Sequence, residues 1–98
     1  MSEAEPSAAV GPRTLKICNR RGLHARAAAK FVATAGRFDA ELKVTKDGST
    51  VTGTSIMGLM MLAAALGTTI DVSATGPEAE AALDAIGELV ANRFNEEE

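Results

Sequence analysis

From Thr14 to Cys18 apolar and polar residues alternate, with Leu15 and Ile17 on one side. This predicts a short strand with one buried face. Asn19 to Gly22 carries the composition of a turn. From Ala25 the period changes: Ala28, Phe31, Val32 and Ala35 recur at i, i+3, i+4 and i+7, the stripe of an amphipathic helix. His24, Ala27 and Lys30 fall off that stripe, toward solvent, and Gly36 ends the helix. Alternation returns in Glu41 to Lys46, with Leu42 and Val44 inward. Asp47-Gly48 is a two-residue hairpin signal, and Ser49 to Thr52 is the returning strand. Ser55 is placed to cap a short helix, Ile56 to Leu62. There Leu59, Leu62 and Ala63 face inward, and Ile56, Met57 and Met60 share an exposed face. Ala63 to Leu66 extends this helix by a turn, and Gly67 stops it. Thr69 to Ala74 alternates with Ile70, Val72 and Ala74 inward. Gly76-Pro77-Glu78 opens a last helix whose stripe is Ala79, Leu83, Ile86, Val90 and Phe94.

The order is β-α-β-β-α-β-α. Strands with one apolar face need a cover, and three helices with one apolar stripe each supply it. The expected fold is a two-layer α+β sandwich: an open four-stranded sheet covered by three helices on one face. Residues 13–95 form the domain. Residues 1–12, small, polar and without period, read as a disordered tail, and 96–98 as an acidic C-terminal tail. With three Phe and neither Trp nor Tyr, the core has to be built from Ala, Val, Ile, Leu and Met.

Composition excludes several classes of function. A net charge of −3 argues against general nucleic-acid binding, and the strands lack the aromatics that an RNA-binding sheet uses. Cys18 is the only cysteine, so no intrachain disulfide forms. With a single His beside it, no zinc site follows, and neither a metal nor a cofactor is expected. No apolar run spans a bilayer and no secretion signal opens the chain, so a cytoplasmic monomer away from membranes is expected.

The candidate chemistry lies at the start of the first helix. His24, the sole histidine, sits where turn becomes helix, with Arg26 two residues on. The first N–H groups of a helix lack internal partners and the dipole makes that end positive, so an anion is stabilised there. The Arg26 guanidinium suits phosphate oxygens. Imidazole titrates near neutral pH, so its nucleophilic neutral form is available, and the cations Arg20, Arg21, Arg26 and Lys30 around it favour that form. Arg20 and Arg21 read equally as steering charges for acidic partners and as exposed loop residues.

The segment Gly22-Leu23-His24-Ala25-Arg26-x-Ala28-Ala29-x-Phe31-Val32 closely resembles the active-site segment of HPr, the phosphocarrier family of the phosphoenolpyruvate-dependent phosphotransferase system. Gly53-Thr54-Ser55-Ile56-Met57-Gly58-Leu59-Met60 resembles the same family's regulatory serine segment, at the family's usual separation. The resemblance implies an antiparallel sheet and a stoichiometric carrier, not an enzyme. It implies that His24 takes a phosphoryl group on Nδ1 from phospho-Enzyme I and passes it to an Enzyme IIA domain, in sugar uptake or a regulatory chain. Arg26 would stabilise the phosphate. Ser55 would be a target of HPr kinase/phosphorylase, besides capping its helix. Arg21, Ala25, Ala29, Ile56, Met57 and Met60 would meet the partners. Ala27 departs from the family, where proline is usual. The alternative is a regulatory binding module with the same fold, against which His24 speaks.

Overall fold

The computed structural model describes residues 9–96. Four strands, β1 (Val10–Lys16), β2 (Glu41–Lys46), β3 (Ser49–Thr52) and β4 (Thr69–Thr75), form one sheet in the order β1-β4-β2-β3, every neighbouring pair antiparallel. Three helices, α1 (Ala25–Ala35), α2 (Ile56–Met61) and α3 (Ala79–Ala91), pack over one face of it. Register aligns Leu42 with Ala74 and Val44 with Val72. These residues and Ile70 are buried, while their sequence neighbours face outward. The period-2 alternation therefore delivers one apolar face to the helices, as expected. The hairpin between β2 and β3 is closed by Asp47 and Gly48, at φ +51° and +84°, the pairing of positive angles that matches strand twist.

Several boundaries differ from the expectation. β1 begins at Val10, so Val10–Pro12 belong to the sheet and not to a disordered tail; Val10 pairs with Ala74 across a bulge. The rest of that tail, 1–8, lies outside the described residues. α2 stops at Met61. Ala63 takes φ +54° and is exposed, and Ala64 is buried in its place. The reason is tertiary: the Ala64 carbonyl accepts from Leu23 N–H at 2.9 Å, and Ile17, just past the end of β1, donates its N–H to the Thr68 carbonyl and accepts from Gly67 N–H. These contacts outweigh the helix propensity of three alanines. Pro77 and Glu78 precede α3 rather than open it, and the Glu78 carboxylate accepts from Asp39 N–H at 2.6 Å.

The core holds Ala, Leu, Ile, Val and two fully buried phenylalanines, Phe31 and Phe94. Met57 and Met60 stay outside it, as their helix face implied, and so does Met61, so methionine does not join the core as the composition had suggested. Ala27, expected to face solvent, is fully buried. At 3.6 residues per turn, Ala27, Phe31, Ala35 and Ala28 span an arc of roughly 100°. The buried stripe is thus centred one step away from Val32, which is left at its edge.

After α3 the chain reverses. Arg93, Phe94 and Asn95 take φ of +59°, +54° and +62°, a left-handed turn. Each such residue costs about 1–2 kcal/mol, which burying the Phe94 ring, about 1.5–3 kcal/mol, offsets in part. Phe94 continues the apolar stripe of α3 by a turn, not by helix.

Candidate functional site

His24 is the N-cap of α1, with φ −75° and ψ −179°. Its carbonyl accepts the first helical bond, from Ala28 N–H at 2.8 Å. Its Nδ1 accepts from Arg26 N–H at 3.3 Å. The nitrogen expected to carry phosphate is therefore aimed at the open N–H groups of the helix start. The approach to His24 is set by Gly22, whose φ is +67°. Its absent Cβ leaves room for the Ala64 carbonyl, which lies where a side chain would stand. Arg21, Leu23, His24 and Ala63–Ala65 line a shallow depression beside the ring.

The other ring nitrogen, Nε2, lies 2.5 Å from Glu96 Oε2. Glu96 Oε1 accepts from Asn19 Nδ2 at 3.0 Å, and the same amide donates to the Gly22 carbonyl at 2.8 Å. Asn19 is fully buried, and its Oδ1 accepts from no described group. Lys30 Nζ donates to the Phe94 carbonyl at 2.6 Å, two residues before Glu96. Burial works to raise the Glu96 carboxyl. The hydrogen bonds from His24 and Asn19, with the charges of His24 and Lys30, outweigh it and hold that carboxyl below its ordinary value.

This corrects three expectations. Glu96 is not part of a free acidic tail but a ligand of the histidine. His24 and Lys30 are half-buried beneath the C-terminal turn rather than open to solvent. The charged group touching the ring is a carboxylate, not one of the arginines expected to favour its neutral form. The Arg26 side chain is exposed, and its guanidinium pairs with none of the described residues.

The other singled-out residues divide into two groups. Arg21, Ala25 and Ala29 are exposed around the His24 end of α1. Ile56, Met57 and Met60 are exposed on α2 at 40%, 70% and 39%, and Met61 and Leu66, not foreseen, extend the patch. α2 packs against α1, and the segment leaving α2, Ala63–Ala65, borders His24. Ser55 Oγ accepts from Gly58 N–H at 2.9 Å and caps α2 as expected. It stands at the far end of that helix from His24; six residues of helix span about 9 Å. Asn19 and Glu96 were missed. The burial of Phe94 on the helix stripe was the one signal that the chain beyond it stays packed. Among the described residues no acidic, His or Cys cluster could hold a metal, and no helix is long and apolar enough to cross a membrane.

Known proteins resemble this chain over most of its length. A family described as PTS HPr component phosphorylation site matches residues 12–92. The phosphocarrier protein HPr of Cupriavidus necator is 46% identical over 86 residues, covering 88% of this chain and 97% of that one. The phosphocarrier protein NPr of Shewanella violacea is 44% identical over 84 residues, covering 86% and 92%. The crystal structure of HPr-C-His from Thermoanaerobacter tengcongensis matches with a TM-score of 0.83 and 41% identity, covering 93% of this chain and 99% of that one. Fold and relatives together define a phosphocarrier, a protein that holds a phosphoryl group rather than an enzyme with its own turnover. The chain belongs to the HPr family of the phosphotransferase system.

Proposed function

We propose that His24 is the phosphoryl acceptor, loaded on Nδ1 by phospho-Enzyme I and discharged to an Enzyme IIA domain in the cytoplasm. The observation that carries this reading is the direction of Nδ1, toward Arg26 N–H at the start of α1. The Nδ1 lone pair attacks phosphorus, the donor's bond to phosphorus breaks, and its electron pair returns to the donor atom. The transferred oxygens then meet the unpaired N–H groups of the first turn and the free Arg26 guanidinium. These are charge-assisted donors, about twice as strong as neutral ones. The exposed patch of Ile56, Met57 and Met60, with Arg21, Ala25 and Ala29, is the docking face; flexible methionines suit it to more than one partner.

Ser55 is read as a second, regulatory phosphorylation site for HPr kinase/phosphorylase. Its position beside Ile56 and Met57 supports this, because a dianion there would have to be desolvated when a partner covers the patch. Similarity to both an HPr and an NPr leaves sugar uptake and a regulatory chain as the two settings of one chemistry.

The test is to mix the purified protein with Enzyme I and phosphoenolpyruvate and look for acid-labile phosphate. The parent should acquire it and His24→Ala should fold but acquire none. Acid-labile phosphate retained by His24→Ala would overturn the assignment. A parent that takes no phosphate but binds Enzyme I or a regulatory protein would favour the binding-module alternative.

A further inference from the structure

Both nitrogens of the His24 ring are engaged, and the two contacts have opposite polarity. A backbone N–H only donates, so Nδ1, facing Arg26 N–H, presents its lone pair. An ionised carboxylate only accepts, so Nε2, facing Glu96 Oε2 at 2.5 Å, carries the proton. Two neighbours from distant parts of the chain thus select one tautomer.

Glu96 is itself held in place. Its side chain is 9% exposed. Oε1 is fixed by Asn19 Nδ2, and the Asn19 amide is oriented in turn by the Gly22 carbonyl. The backbone leading to Glu96 is anchored by the buried Phe94 ring and by Lys30 on the Phe94 carbonyl. The contact is built from both sides, and it leaves Nδ1 uncovered.

We propose that Glu96 is a positioning residue for phosphoryl transfer at His24, holding the proton on Nε2 and pairing with the charge that the ring gains. This rests on the reading of His24 as the acceptor. The balance is as follows. The Nδ1 lone pair forms the new N–P bond, and the donor's bond to phosphorus breaks with its pair going to the donor atom. The Nε2 proton stays on the ring, so the ring gains one positive charge, and that charge faces the Glu96 carboxylate. Discharge to the next acceptor reverses each of these steps. Glu96 touches neither phosphorus nor the incoming group; it acts through the imidazole, as an orienting carboxylate does behind a histidine base. Among the described residues, the titratable His24 and the charged Lys30 face Glu96 from the α1 side, with the neutral Asn19 from the preceding turn, and Arg93 lines a depression with Glu96 on its own segment. The lowered Glu96 carboxyl agrees with its being ionised at neutral pH.

The full-length chain is the sample, as parent, Glu96→Gln and Glu96→Ala, each checked by thermal melting. Because His24 is the only imidazole, ring ¹⁵N shifts report its tautomer directly. The parent should show Nε2 protonated and Nδ1 bare. Glu96→Ala should show a mixture of tautomers, and Glu96→Gln, whose amide oxygen still accepts, should restore the parent pattern. The maximal rate of phosphorylation by Enzyme I should fall about tenfold or more in Glu96→Ala, the loss expected for one charge-assisted hydrogen bond. The carrier concentration at half-maximal rate should stay the same, and Glu96→Gln should lie between. A parent with Nδ1 protonated overturns the inference. So does a phosphorylated Glu96→Ala that matches the parent in both tautomer and rate, or one that is faster, which would make Glu96 a strap over the site. A parent that takes no phosphate at all refutes the acceptor reading instead, whatever its tautomer.

Discussion

Gly22→Ala should damage both the fold and the His24 site, and its cost can be built from the structure. Gly22 has φ +67°. An alanine held there costs about 1–2 kcal/mol in left-handed strain. Its Cβ would also run into the Ala64 carbonyl oxygen and lie 3.0 Å from Ala65 Cα, both backbone atoms that no rotamer change can clear. Relief requires the two segments to part, which removes the 2.9 Å bond from the buried Leu23 N–H to the Ala64 carbonyl. Stranding a buried donor costs about 1–3 kcal/mol. The total is ~2–5 kcal/mol, a large share of the ~5–15 kcal/mol that a domain has. Gly48→Ala is the control. Its φ is +84°, yet an added Cβ meets nothing within 4 Å, so only the strain of about 1–2 kcal/mol remains. Urea and thermal unfolding should rank the two variants. At about 4–8 °C per kcal/mol for a domain of this size, Gly22→Ala should lower the melting temperature by about 8–40 °C and Gly48→Ala by about 4–16 °C, with the larger drop for Gly22→Ala. Below its melting point Gly22→Ala should also be phosphorylated more slowly, since His24 follows two residues later. Equal melting temperatures for the two variants would refute the claim that close backbone approach, beyond backbone angle, makes Gly22 necessary.

Three further outcomes follow from the same contacts. Ala27→Pro should fold with unchanged helix content by circular dichroism, because the third N–H of a helix has no internal acceptor; since Ala27 is fully buried, fitting the ring is expected to cost about 1–3 kcal/mol, and a loss of helical signal would show the site cannot accept it. Ser55→Asp keeps an oxygen for Gly58 N–H and should melt close to the parent, while charge beside the Ile56, Met57 and Met60 patch weakens docking to Enzyme I about tenfold, or ~1.4 kcal/mol; an unchanged concentration dependence of transfer leaves Ser55 as a cap only. Glu96→Gln should destabilise the fold by ~1 kcal/mol at neutral pH. The Glu96 carboxyl is lowered on folding, so its ionised form contributes stability above the unfolded value of about 4.3 and loses it as pH falls through the lower folded value. The parent and Glu96→Gln curves should therefore converge in acid, and a gap that stays constant down to acid unfolding would contradict the pairing.

Most of the secondary structure could be read without coordinates because its causes are local. The alternation in Glu41–Lys46 and Thr69–Thr75, the Asp47-Gly48 turn and the Ser55 cap each depend on residues within one turn of themselves. The candidate histidine was legible for the same reason: a turn, a lone imidazole and an alanine-rich helix start lie within a few residues. What depends on distant partners was not legible. Ala63 leaves the helix because Leu23 takes the neighbouring carbonyl. Ala27 is buried because packing against α2 and α3 sets the angle at which α1 lies, and a stripe of small alanines does not specify that angle by size. The His24–Glu96 contact joins positions 72 residues apart. It exists only because three successive left-handed residues turn Phe94 into the core and carry Glu96 onto the ring. A run of three glutamates reads as solvated charge until packing decides otherwise. Sequence alone determined that His24 stands at a helix start; tertiary structure decided which group holds its other nitrogen, because that geometry is set by burial and not by spacing along the chain.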